Sequence, residues 1–251
     1  GGGFLTNSLG FRFKQDLKAG TVTVDQTEYT LDFLQEFKMD RGNPKSKPEP
    51  TGANLTHAMS PQTGEEKAAC SDIREEYPRR VGKLIYLLQT RPDIANAVRS
   101  LSRFMRNPGT AHWQALKYLL RYLKGKPNYG IVLRKSEDME LTAYCDADFA
   151  NDPEGARSVL GWATYFNGSP LSWKSTMPKS VATSTLHSEL WAAYECSREV
   201  VWLRGFLEEL GFPQPGPTTV YEDNSACIDF AKAKTFHKRT KHIKVKYHYI
   251  N

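Results

Sequence analysis

The stretch "LTAYCDADFAND", Leu141–Asp152, alternates apolar and polar positions and then closes on two aspartates one residue apart. Side chains two apart along a strand share a face. Asp146 and Asp148 therefore stand on one side, where two like charges are unfavourable unless they are solvated or hold a cation. Around this strand the pattern continues as strand candidates at 130–134, 140–146, 158–167 and 170–175. A long helix candidate covers 184–210 and stops at "GFPQPGP". "TTVYED" at 218–223 reads as a strand, and "NSACIDFAKA" at 224–233 as a helix. Strands, a helix, a strand and a helix make an α/β order.

Upstream the periods differ. Residues 9–25, "LGFRFKQDLKAGTVTVD", alternate on either side of "KAG" and read as a hairpin. In "QTEYTLDFLQEFKM", Tyr29, Phe33 and Phe37 recur every fourth position, as on one side of a helix. Residues 42–64 are rich in Pro, Gly, Ser and Lys and are expected to form a loop or linker. From Pro78 to Lys126 the pattern is helical, interrupted at "TRPDI" and ending near Gly125, a residue suited to a helix C-terminus. In the last of these helices Trp113, Leu116 and Leu120 are expected to be core rather than base-stacking platforms.

The 251 residues allow one large domain or two modest ones. A net charge of +6 permits contact with nucleic acid without requiring it. Cys70, Cys145, Cys196 and Cys227 show no CxxC spacing, which argues against a zinc site or a disulfide framework. No apolar run approaches the ~20 residues of a membrane span, and the start has no signal-peptide pattern. The expectation is an intracellular protein, cytoplasmic or nuclear.

Three carboxylates carry the chemistry. At about 100° per residue, Leu186, Ala193, Cys196 and Val200 form one stripe of the long helix, and Glu189 falls inside it. A buried acid needs a basic partner, a helix N-terminus or a cation. Asp223 closes a strand and precedes a helix, so it is either an N-cap, the neighbour of one at Asn224, or a ligand. Two aspartates at strand ends and a glutamate on the helix between them would converge where α/β sheets collect ligands. Three carboxylates there suit Mg²⁺ or Mn²⁺, and two such ions support phosphodiester cleavage. Residues 232–246 hold Lys232, Lys234, Lys238, Arg239, Lys241, Lys244 and Lys246 with no acid among them, and His242 lies in the same run. Such a run is either a solvated face or a phosphate contact.

The block 141–250 resembles the ribonuclease H domain of copia-type LTR retrotransposon polyproteins. "YCDADFA", "SWKS", "VATSTLHSE", "VWLRGFLEELG", "YEDNSACIDFAK" and "FHKRTKHIKVKYHYI" carry the resemblance. Upstream, "LGFRF" with "TVTVDQTEYTLDFLQEFKM", "YPRRVGKLIYLLQTRPDIANAVRSLSRFM" and "HWQALKYLLRYLKG" resemble the end of the same family's reverse transcriptase. The resemblance implies an α/β, ribonuclease H-like mixed sheet with flanking helices, preceded by a mainly helical thumb or connection region. It divides the chain into 1–41 (end of the palm), 42–77 (loop or linker), 78–128 (helical thumb) and 129–251 (ribonuclease H-like). It implies that Asp146, Glu189 and Asp223 are the metal-binding and catalytic acids, with Asp148 either second in line or solvated. It implies an RNA–DNA hybrid as partner, and the basic run, if not a solvated face, is expected to touch its phosphates through Lys234, Lys238, Arg239, Lys241 and His242. The polymerase's paired aspartates have no counterpart in this sequence. Lys244 stands where many relatives carry an acid, so a fourth carboxylate is not expected. The competing expectations are a catalytically inactive nucleic-acid-binding remnant, and an interaction protein with no nucleic-acid role.

Overall fold

In the computed structural model, residues 7–39, 42–52, 54–152 and 154–232 are described. They form two compact units, Gly1–Leu133 and Arg134–Asn251.

The first unit opens with β1 (Asn7–Ser8), β2 (Phe11–Asp16) and β3 (Thr21–Asp25). β2 and β3 make the expected antiparallel hairpin, with Arg12 opposite Asp25 and Asp16 opposite Thr21. The Arg12 guanidinium forks onto the Asp25 carboxylate at 3.0 and 2.9 Å, and this pairing fixes the register. The helices are α1 (Thr27–Glu36), α2 (Gly64–Ala69), α3 (Ser71–Leu87), α4 (Ala95–Ser102) and α5 (Thr110–Gly125). Their apolar stripes meet in one core. Phe33 and Leu34 come from α1, Tyr77, Val81, Leu84 and Leu87 from α3, Val98 and Leu101 from α4, and Leu116, Leu119, Leu120 and Leu123 from α5. Trp113 packs against this core, as expected. The break at "TRPDI" is built around Arg91, which is almost wholly buried. It binds both oxygens of Asp93 and donates to the Lys126 carbonyl at 2.9 Å.

Two expectations change here. Helices α2 and α3 begin inside the 42–77 stretch read as loop or linker. The cause is a capping box: the Thr63 hydroxyl accepts from the Glu66 N–H, while the Glu66 carboxylate accepts from the Thr63 N–H. Residues 42–45 lie along α5, with Lys45 N–H donating to the Arg121 carbonyl at 3.2 Å. β4 (Gly130–Arg134), the strand placed at the start of the ribonuclease H-like domain, joins the first sheet, whose order is β1-β2-β3-β4. Its Gly130 lies so close to the Val24 carbonyl and Asp25 that a β-carbon would collide with them.

The second unit is α/β, a mixed sheet with flanking helices. Its strands are β5 (Leu141–Asp148), β6 (Val159–Phe166), β7 (Ser169–Thr176) and β8 (Thr219–Tyr221), in the order β7-β6-β5-β8. β5, β6 and β7 are antiparallel neighbours. The β6–β7 turn is Asn167–Gly168, both at positive φ, and it closes a two-residue hairpin with Phe166 opposite Ser169. β8 runs parallel to β5, which requires a crossover connection. That crossover contains α6 (Thr185–Glu209), and α7 (Ser225–Lys232) follows β8. The odd-numbered residues of β5, Leu141, Ala143, Cys145 and Ala147, bury against Ala193, Cys196, Val200 and Leu203 of α6.

Replacing Leu160, fully buried on β6, with Ala is expected to destabilise this unit by about 2–5 kcal/mol through lost burial and a cavity. Val201→Ala, at a residue 57% exposed on α6, should change stability by less than about 0.5 kcal/mol. Urea unfolding of the two variants checks both; equal losses would contradict this packing.

Candidate metal centre

The topology brings three acids to one end of the second sheet. In the parallel pair, Tyr144 of β5 is opposite Tyr221 of β8. Two residues further along each chain are Asp146 and Asp223. β7 runs in the same sense as β5, so the chain leaves β7 at that end and enters α6 there. Ser184 caps α6, its hydroxyl accepting from the His187 N–H at 3.1 Å. One turn later comes Glu189, on the side that buries Leu190, Ala193 and Cys196.

One ligand oxygen each from Asp146, Glu189 and Asp223 lie within 4.8 Å of one another. Asp146 and Asp223 are exposed, whereas Glu189 is 5% exposed. The Ala147 backbone N–H supports the Glu189 carboxylate, but its Oε2 is buried and has no hydrogen-bond partner. Burial, and then the negative charges of Glu222, Asp146 and Asp223, push the Glu189 carboxyl up to about 7. A buried carboxylate with one oxygen lacking a donor, clustered with two aspartates, matches a hard, oxygen-seeking cation.

The alternatives left open for each residue resolve individually. Asn224 is the cap of α7, its Oδ1 accepting from the Cys227 N–H at 3.0 Å, so Asp223 is released from that role. Asp148 stands on the open face of β5 beyond the cluster, and its carboxylate accepts from the Asn151 amide. Lys234, Lys238, Arg239, Lys241, His242 and Lys244 lie outside the described residues. Cys145, Cys196 and Cys227 are buried free thiols, and Cys70 is a half-buried one.

Sequence reasoning missed Glu222. It is half-buried beside the triad. Its Oε1 accepts from the Asn224 N–H at 3.0 Å and its Oε2 from the Cys145 thiol at 3.3 Å. Burial, offset by those two hydrogen bonds but aided by Asp223 and Asp146, holds its carboxyl above the usual range. The available signal was alternation: in "TTVYED", Glu222 shares a side with Val220, which packs on the core.

Without divalent cations, the folded chain keeps a proton on Glu189 up to about pH 7, against 4.5 for an unperturbed carboxyl. The native state therefore binds more protons in that window, and its stability falls as pH rises through it. The full difference is about 3 kcal/mol. In chelator, Glu189→Gln should remove most of that slope and be the more stable form at about pH 8, read from urea midpoints. A parent chain as flat as the variant would contradict the burial of this charge.

The chain is 39% identical over 243 residues to the retrovirus-related Pol polyprotein from transposon TNT 1-94 of Nicotiana tabacum, a match covering 96% of this chain and 18% of that protein. It is 37% identical over 227 residues to the Pol polyprotein from transposon RE2 of Arabidopsis thaliana, covering 90% of this chain and 15% of that protein. An uncharacterized mitochondrial protein of Arabidopsis thaliana is 31% identical over 181 residues, 71% of each chain. The chain thus spans less than a fifth of the transposon polyproteins it matches. No protein-family model matches it, and no solved structure does. Among the described residues, no helix is long and apolar enough to cross a membrane. On these relationships, the chain is similar over nine-tenths of its length or more to a part of the retrovirus-related Pol polyproteins of plant transposons.

Proposed function

We propose that the second unit is a ribonuclease H-like module that hydrolyses the RNA strand of an RNA–DNA hybrid. The observation that carries this reading is the clustering of Asp146 and Asp223 with Glu189, a buried acid one of whose oxygens has no hydrogen-bond partner. Kinship to transposon Pol polyproteins supports a retroelement role. The mixed sheet with its α6 crossover is compatible with a ribonuclease H-like fold.

Asp146, Glu189 and Asp223 would hold Mg²⁺ or Mn²⁺. Bound there, such ions activate a water and stabilise the leaving oxygen of a phosphodiester. The chain's own residues divide the remaining work. Glu189, buried against β5, anchors the inner side of the site. Asp146 and Asp223 are exposed and present their carboxylates on the side from which a phosphate can approach. Recognition of RNA would run through its 2′-hydroxyl. Lys234, Lys238, Arg239, Lys241 and His242 follow α7 directly in sequence, and are proposed to contact the phosphates of the hybrid.

A labelled RNA–DNA hybrid incubated with the chain and Mg²⁺ or Mn²⁺ tests this directly. Cleavage confined to the RNA strand is expected, with Asp146→Asn lowering the rate by at least about a hundredfold while hybrid binding persists. Retained binding with no cleavage in either metal would leave a nucleic-acid-binding module instead. Binding itself should weaken steeply with salt, because phosphate contacts release counterions. Lys238, Arg239 and Lys241 replaced together by Ala should flatten the salt slope by roughly two to three units. An unchanged slope would leave that run a solvated face.

A further inference from the structure

Four carboxylates, not three, gather at the end of β5 and β8. One ligand oxygen each of Asp146, Glu189 and Asp223 lie within 4.8 Å of one another, and Glu222 precedes Asp223 on the β8–α7 turn. Among the described residues, no ion pair reaches any of the four. Glu222 is also held in place. Asn224 donates its N–H to one oxygen and Cys145 its thiol to the other. The Cys145 sulfur lies beside Cys196 and is buried, which together with the Glu222 charge holds its thiol well above the usual range, so it stays a donor. With both oxygens engaged, Glu222 is held between the neighbours of Asp223 and Asp146 as a fixed charge rather than as a swinging ligand.

We propose that Glu222 supplies the fourth negative charge of the cation centre, strengthening binding of divalent ions by the triad without joining it. The proposal rests on reading the triad as a cation site. Its physical content is charge balance. Two divalent ions carry four positive charges, and the triad alone offers three negative ones. Glu222 completes the set from a position fixed by Asn224 and Cys145, the chain neighbours of Asp223 and Asp146. In sequence, Lys244 stands where the resemblance implies an acid. The structure places the fourth charge one residue before Asp223. At an effective dielectric of about 20, one unit charge a few ångströms from a divalent ion is worth well over tenfold in affinity, and solvent at the exposed side reduces this to about tenfold.

The test is Mn²⁺ binding to the 251-residue chain, read from the paramagnetic resonance signal of free Mn²⁺ at constant ionic strength. Glu222→Gln keeps an acceptor for the Asn224 N–H and removes the charge; it should weaken Mn²⁺ about tenfold. Glu222→Asp keeps the charge and should stay within about threefold of the parent. Asp148→Asn, outside the cluster, should bind as the parent does. In chelator, Glu222→Gln should unfold at the same urea concentration as the parent or a higher one, because a repelling charge is gone. Parent-like Mn²⁺ affinity in Glu222→Gln would overturn the proposal. So would an equal loss in Glu222→Asp, since shape rather than charge would then be at work. A parent chain that binds no Mn²⁺, or whose binding is unmoved by Asp146→Asn with Asp223→Asn, would overturn the reading of the triad itself. Loss in the triad variants with none in Glu222→Gln would overturn only the role of Glu222.

Discussion

The second unit depends on one unresolved electrostatic problem: a carboxylate oxygen of Glu189 buried without a donor, on a residue clustered with two aspartates. Left alone, such a group takes up a proton or destabilises the fold. Proteins neutralise buried acids with Arg or Lys, and this chain does so at Asp25 with Arg12 and at Asp152 with Arg157. At Glu189 no described basic side chain takes that place. The contrast within one chain separates acids that hold structure together from acids that await a cation.

Topology makes the convergence unavoidable. Because β8 is parallel to β5, both strands end on the same side of the sheet. The connection from β7 brings the first turns of α6 to that side. An acid two residues beyond the Tyr144–Tyr221 pair on each strand, and another in the second turn of the helix, must then meet. The same geometry buries the Cys145 thiol beneath β8, where it can anchor Glu222. Fold and site are therefore consequences of one crossover, and the residues that specify it are the alternation in β5, the Asn167–Gly168 turn and the Ser184 cap.

Much of this was legible in the residues. Alternation in "LTAYCDAD" marked β5 and put Asp146 on its open face, and the stripe containing Glu189 marked the buried side of α6. Period alone also placed the hairpin of β2 and β3 and the helices of the first core. Other features were hidden by the order in which cues were weighed. Proline and glycine content in 42–77 outweighed the Thr63–Glu66 capping signal, so α2 and the start of α3 were read as linker. β4 was assigned forward because its apolar run precedes another strand, whereas its partner, β3, lies about a hundred residues upstream. Glu222 was legible only in part: alternation puts it on the core side with Val220, but not beside Cys145. Its significance lies in the parallel register with β5, which brings Cys145 beneath it, and no local pattern in "TTVYED" encodes that neighbour.

The most direct measurement is crystallographic: crystals of the chain soaked in Mn²⁺, with anomalous differences collected near the manganese edge. The triad account requires a peak bounded by Glu189 Oε2, Asp146 and Asp223, lost in the Asp146→Asn protein. A saturating soak with no peak there, or a lysine or arginine side chain filling the position instead, would contradict it.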